Sequence, residues 1–267
     1  MKSKIQEIYS LEQLSGRNTP IHRLNPLIKL LANLGFIVIV VSFGRYDLFP
    51  MIPLVFYPTV VMALSETPYV LLLKRSALAL PFCLFAGISN LFLDTGTAFT
   101  IGTLSVSLGA LSFFTLLYKA YLCVITVLLL VATTPIRDIS GSLKMLRVPS
   151  LFITLFEMTY RYIGILLEEA SSMVMAYQLR SNQQKGIVLR HMGSFIGQML
   201  IRSFDRSERI YDAMKLRGYP TAKISSSGKN VGPRDILFLL FVLGTGLILR
   251  AFDITGYLND FIERFIP

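Results

Sequence analysis

The sequence predicts an all-α, polytopic membrane protein of about five transmembrane helices, with long amphipathic cytoplasmic helices between the fourth span and the last. Three observations carry this. Of 267 residues, 53% are hydrophobic and 16% charged, and the mean hydropathy is +0.60, more apolar sequence than a soluble core of this size needs. The apolar residues gather into runs whose length approaches that needed to cross about 30 Å of hydrocarbon. Finally, the net charge of +10 is uneven: residues 137–234 hold 15 of the 26 Lys and Arg but only 7 of the 16 Asp and Glu. Between membrane spans the positive-inside bias accounts for such a segment. No base-stacking aromatic pattern accompanies the charge, so nucleic acid is not an expected partner.

Residues 1–26 are mixed and polar and end in Asn25-Pro26, a natural lead into a helix. They lack the charged start followed at once by an apolar run that marks a secretory signal, so the first span is expected to stay in the mature protein. Residues 27–43 form that span, near the lower length limit. Arg45-Tyr46-Asp47 turns the chain, and residues 48–64 form a second span in which Pro50, Pro53 and Pro58 should kink or break the helix. Lys74 and Arg75 precede a third span at 76–93. Residues 94–109, rich in Gly, Ser and Thr without a basic residue, read as an external loop or re-entrant piece. The fourth span, 110–133, contains Lys119. A lysine at the bilayer centre costs about 2.5 to 3.5 kcal/mol, so it should snorkel, face a packed interior or meet a partner subunit. The fifth span, 236–249, has a possible extension through Ala251 to Ile254. Cys83 and Cys123 lie in apolar runs, where reduced thiols behave as small hydrophobes.

The segment between the fourth and fifth spans is built differently. Arg137, Lys144 and Arg147 open it, and Pro149 marks a change of direction. Residues 151–167 are apolar, but Glu157 and Arg161 sit four apart and Glu168-Glu169 follow. Residues 150–180 therefore read as one long helix lying along or dipping into the cytoplasmic interface. After a break from Gly186 to Gly193, residues 195–201 read as an amphipathic piece leading into a helix from Arg202. At 100° per residue Arg202, Arg206, Arg209, Ala213 and Arg217 share one stripe, with Phe204, Ser207, Tyr211 and Met214 on the other side. Gly218 and Pro220 read as a stop, with Gly218 left-handed and Arg217 in the last turn, its guanidinium free to project. Residues 175–181 end in a similar way, 37 residues earlier, at Arg180-Ser181. Ser225 to Gly232 is a flexible return to the last span. Three regions follow: 1–136, 137–232 and 233–267. With five spans, Lys2, Lys4, Arg17, Arg23 and Lys29, then Lys74 and Arg75, then the basic central segment, all fall on one side, so the N-terminus is expected in the cytoplasm.

Catalytic chemistry is not legible. His22 and His191 are isolated, with no Cys, His or carboxylate at metal-ligand spacing. The nucleotide-binding pattern GxxxxGK[ST] is missing, and Glu168 and Glu169, adjacent on a helix, point about 100° apart. No metal or other cofactor is expected. For Arg180 and Arg217 the ordinary reading is an arginine at lipid headgroups or in solvent. The sharper one is that a guanidinium beside Ser181 or Gly218, where a partner surface can come close, makes a bidentate bond to a carboxylate.

The run RSFDRSERIYDAMKLRGY at residues 202–219 resembles the coupling-helix signature of the transmembrane, or T, component of energy-coupling factor transporters. Leu179-Arg180-Ser181 and Leu216-Arg217-Gly218 resemble that family's Ala-Arg-Gly or Ala-Arg-Ser triplets, with Leu in place of Ala. NTPIHRLNPLIKLL at 18–31, with Asn25 and Leu27 where Asp and Arg are usual, and RYIGILLEEA at 161–170 extend the similarity over most of the chain. The form of the second triplet's helix is closer to the cobalt and nickel branch. The resemblance implies a non-enzymatic scaffold in the cell membrane of a prokaryote, joining two ATP-binding cassette ATPase subunits to a substrate-binding membrane subunit. It implies that Leu179, Arg180, Ser181, Leu216, Arg217 and Gly218 dock the ATPases. Phe204, Arg206, Arg209, Tyr211 and Met214 would then line the coupling-helix face. The alternatives are a T component of a vitamin importer, a membrane enzyme acting on lipid headgroups, and a stand-alone permease. For the enzyme the sequence offers no convergent acid, base or metal groups. A permease usually carries ionisable residues on several spans, and Lys119 alone is thin support.

Overall fold

The computed structural model describes residues 15–17, 19–93, 97–101, 104–181, 186–219 and 231–251. Lys2, Lys4, Asp94, Pro220, the return from Ser225 as far as Asn230, and the extension of the last span beyond Ala251 lie outside these residues. The chain divides into two compact units, one within residues 9–142 and 229–267 and the other within 143–228.

The first unit holds the apolar helices. A one-turn helix α1 (Pro20–Arg23) leads into α2 (Pro26–Ser42), where the Asn25 side chain accepts the Leu27 N–H and Pro26 occupies the first turn. The prolines break the second span as expected. Helix α3 (Leu48–Met51) passes through one 3-10 turn, Ile52–Val55, into α4 (Phe56–Ser65), which ends with Glu66 left-handed at φ 52°. The third span begins earlier than expected. Helix α5 (Tyr69–Ser76) continues through a 3-10 turn, Ala77–Ala79, into α6 (Leu80–Leu93), so Lys74 and Arg75 lie in the last turn of α5 instead of before the span. Charge alone does not end a helix, and cations are favourable near its C-terminal carbonyls. The expected loop contains an antiparallel hairpin, β1 (Thr97–Ile101) with β2 (Leu104–Ser107), pairing Phe99 with Val106 and Ile101 with Leu104. Helix α7 (Leu108–Thr133) follows, capped by Ser107, whose Oγ accepts the Ala110 N–H. Thr115, Thr126 and Thr133 return their hydroxyls to carbonyls four residues back, each at 2.7 Å, which satisfies them within an apolar helix. Helix α8 (Ile136–Met145) comes next, and α11 (Pro233–Ala251) closes the unit.

Helix α7 is the centre of the packing, touching α2, α4, α5 and α6, while α11 lies on α2. Leu122, Ile125 and Leu129 of α7 are buried with Phe36 and Val40 of α2 and Val61 and Met62 of α4. Small residues let α2 and α11 approach: a Cβ on Gly35 would run into Leu243, and one on Gly246 would come within 2.7 Å of Ile39 Cδ1. Lys119 meets its own chain, donating to the carbonyl of Phe43 just beyond the end of α2.

In the second unit α9 (Ser150–Arg180), 31 residues without interruption, has the boundaries the sequence predicts. Helix α10 (Leu189–Leu216) is longer than predicted. The expected break from Gly186 to Gly193 is shorter than predicted: Gly186 is left-handed at φ 87°, but the helix begins at Leu189, and Gly193 and Gly197 are helical and face open space, so neither forces the backbone to turn. The two helices run antiparallel: Glu169 meets Arg202 and Arg206, and further along α9 the Tyr177 ring meets His191 at 5.9 Å, earlier on α10.

Among the described residues, Leu48–Ser65, Tyr69–Ser89, Leu108–Thr133 and Ser150–Arg180 are long and apolar enough to cross a membrane, and Pro26–Ser42 is apolar but shorter. These helices give an all-α, multi-pass membrane protein with one small hairpin. By length and composition α9, read from the sequence as interfacial, is also able to span.

Candidate functional site

The two arginines singled out in the sequence stand at helix ends in the second unit. Arg180 is the last residue of α9. Ser181 follows at φ −98°, ψ 31°, its N–H bonded to the Tyr177 carbonyl at 2.9 Å, and its Oγ is buried without a partner among the described residues. Arg217 follows the last residue of α10, and the chain leaves in a Schellman turn. Tyr219 N–H bonds to the Met214 carbonyl and Gly218 N–H to that of Lys215, both at 3.0 Å, with Gly218 left-handed at φ 81°. This is the conformation its sequence predicts, and only glycine adopts it without steric cost.

Both guanidinium groups are exposed, and among the described residues neither enters an ion pair. Beside each stands an exposed leucine, Leu179 at 75% and Leu216 at 90%. Each helix end therefore presents the same pair, an exposed cation and an apolar side chain, followed by a small residue. An exposed arginine is able to form bidentate bonds to a carboxylate, and an exposed leucine offers apolar area to bury.

The other residues of the expected coupling face do not share one face. Phe204 and Tyr211 lie together and are exposed, and Arg209 is exposed at another angle. Arg206 and Met214 are half-buried, in register with Met192, Phe195, Met199, Ser203 and Ile210 on the covered side of α10. The reason for Arg206 is electrostatic: its Nη2 lies 3.0 Å from Glu169 Oε2 of α9, and Arg202 Nη1 lies 3.3 Å from Oε1 of the same carboxylate. Glu169 is 17% exposed by side chain. The arginine stripe is thus divided by use, with two members holding α10 to α9 and the terminal one free.

Sequence reasoning passed over Asp235. Its carboxylate accepts the Asn25 N–H at 2.9 Å and the Gly232 N–H at 2.8 Å, tying the starts of α2 and α11 together. No local signal marks a contact 210 residues apart. Among the described residues no group of three or more His, Cys, Asp or Glu is placed to hold a metal ion.

The family model for the cobalt transport protein CbiQ matches residues 17–226, a stretch that includes both arginine ends. The chain belongs to the CbiQ family of cobalt transport proteins. It is 33% identical over 91 residues to the cobalt transport protein CbiQ of Rhodobacter capsulatus, covering 34% of this chain and 37% of that protein. It is 28% identical over 107 residues to the nickel permease LarQ of Lactiplantibacillus plantarum, covering 40% and 39%. It is 27% identical over 214 residues to the energy-coupling factor transporter transmembrane protein EcfT of Bacillus subtilis, covering 74% and 80%. The chain spans less than half the length of several curated relatives it matches, the cobalt and nickel proteins among them. Family membership places this CbiQ-family chain among membrane transport components and not among enzymes.

Proposed function

We propose that this chain is the coupling subunit of an ATP-driven energy-coupling factor importer, docking two cytoplasmic ATPase subunits and passing their motion to a separate substrate-binding membrane subunit. The observation that carries the proposal is the pair of exposed arginines, unpaired among the described residues, each closing a long helix beside an exposed leucine, while Arg202 and Arg206 are engaged. Each end would bind one ATPase, and ATPase movement would change the disposition of α9 and α10. The exposed Phe204 and Tyr211 would carry that change to the substrate-binding subunit. The cargo in this reading is a cobalt or nickel ion, in line with the family's name and the two metal-transporting relatives. The longer alignments to EcfT proteins favour a second reading, a T component serving other cargo. The basic segments support an N-terminus in the cytoplasm.

The test is assembly with transport. Arg180→Ala with Arg217→Ala should lose the ATPase on purification and lose uptake of radiolabelled cobalt and nickel. Retained assembly and uptake would refute the docking role. Uptake of neither metal by a wild-type complex that still hydrolyses ATP would favour the second reading.

A further inference from the structure

Helix α2 is 17 residues long, about 25 Å, and stops short of the ~30 Å of hydrocarbon that a bilayer presents. Just past its end Lys119 of α7 donates to the Phe43 carbonyl, and α7 extends about 16 Å further, from Lys119 back to its start at Leu108. A step results, its floor the turn from Phe43 to Asp47 and its wall α7 with α6 packed on it.

The floor is charged. Asp47 accepts the Gly44 N–H at 2.7 Å and lies 3.7 Å from Arg250 Nη1, and the Arg250 guanidinium stacks over the Phe43 ring at 4.9 Å. Lys119 and Arg250 thus meet at a turn that holds a single carboxylate, a surplus of positive charge among the described residues, and Arg45 of the same turn adds to it. Arg250 keeps 41% of its side chain exposed. Cations at this depth are costly in hydrocarbon, and a headgroup phosphate drawn down to them removes that cost.

An apolar groove starts beside the floor. Its α7 side is the stripe Phe114, Tyr118, Tyr121 and Ile125, spaced four, three and four residues apart on one face. Leu48, the residue after Asp47, lines the outer part, which has a volume of about 310 Å³, and Met62 of α4 with Leu73 of α5 line the inner part. Tyr121 borders both parts, so they form one groove. From Phe114 to Ile125 is about 16 Å, half the hydrocarbon thickness and the depth of a single leaflet's acyl chains. Side chains on a helix lean toward its N-terminus, which brings the Lys119 ammonium toward the groove's outer end.

We infer that the step and the groove together bind one anionic glycerophospholipid, its phosphate against Lys119 and Arg250 and one acyl chain along α7 from Phe114 to Ile125. Charge and groove adjoin through the consecutive residues Asp47 and Leu48, so a single amphiphile reaches both.

The experiment titrates the full chain, purified in a mild detergent, with phosphatidylglycerol or phosphatidylcholine, counts bound lipid by native mass spectrometry and follows the melting midpoint. Phosphatidylglycerol should saturate at one tightly held molecule per chain and raise the midpoint. It should bind at least about fivefold more strongly than the zwitterionic lipid, the worth of one basic group facing an anionic lipid. Arg250→Gln should erase that preference. Leu117→Trp, which fills the outer part of the groove, should weaken the binding of both lipids, and Arg137→Gln, at an exposed position on α8, should change neither. Midpoints without added lipid report the folding of each variant, and if Leu117→Trp does not fold, Arg250→Gln alone decides. Equal binding of the two lipids by the wild type, or an unchanged preference in Arg250→Gln, overturns the site. So does a complex with the ATPase and substrate-binding subunits that retains no lipid while a photo-crosslinker at Leu117 captures the substrate-binding subunit, an outcome that makes the groove a protein interface.

Discussion

Lys29 and Thr133 are joined by a hydrogen bond of 2.8 Å from the lysine ammonium on α2 to the last carbonyl of α7. The arrangement is reciprocal, since Lys119 of α7 donates to the carbonyl of Phe43 at the far end of α2. Each helix thus supplies a cation to the other's C-terminal carbonyls, which have no intrahelical partner and carry partial negative charge. In lipid, where water cannot substitute, such a pair of caps fixes the register of two antiparallel helices.

Lys29→Ala leaves the Thr133 carbonyl without this donor. Lys29 is 3% exposed, so the expected cost is about 1 to 3 kcal/mol. It should appear as a lower thermal midpoint in detergent, and Lys119→Ala should cost less because Lys119 is only partly covered.

Asp235→Ala removes the acceptor of two backbone N–H groups at once, those of Asn25 and Gly232. A charged acceptor of this kind is worth about 1.5 to 3 kcal/mol per bond. Loss of stability with Asp235→Ala, and partial recovery with Asp235→Asn, would be read by the same melting measurement.

Two left-handed residues make a matched pair. Gly218→Ala forces a Cβ into that conformation at φ 81° and should cost about 1 to 2 kcal/mol, fraying the turn that carries Arg217. Arg147, at φ 62°, is a non-glycine in the same kind of turn after α8, where Val148 N–H bonds to the Leu143 carbonyl at 3.2 Å. Arg147→Gly should be neutral or stabilising by a similar margin. Denaturation curves should therefore show Gly218→Ala less stable than the wild type and Arg147→Gly at least as stable.

Close packing of α2 against α11 gives a fourth expectation. Gly35→Leu and Gly246→Leu each push a side chain into space held by Leu243 or Ile39, with an expected cost of about 1 to 3 kcal/mol. Gly193→Ala and Gly197→Ala, facing open space on α10, should be tolerated or stabilising. Melting all four variants in the same detergent checks the contrast.

The parts of this structure legible in the sequence are those written in neighbouring residues. Asn25-Pro26 announces the start of α2, the three prolines announce the broken second span, and Gly218 announces the left-handed end of α10. Lys74-Arg75 misleads because a charged pair resembles a boundary while nothing in it stops a helix. Gly193 misleads because glycine permits a break without requiring one. The partners of Lys29, Glu169 and Asp235 lie 104, 37 and 210 residues away. Spacing shows that Arg202 and Arg206 share a stripe, but not that one carboxylate on another helix engages both. For the arginine ends the position is the reverse: their exposure follows from where the helices stop, and the stops are local.

The most direct test of the docking role is the affinity of the ATPase subunit for the full chain in nanodiscs carrying Arg180→Glu, Arg217→Glu, or both. A charge removed from a buried pair costs about 2 to 5 kcal/mol. Each single reversal should therefore weaken binding about 30-fold or more, and the double should abolish it at micromolar ATPase. A double variant that binds within about threefold of the wild type would contradict the account.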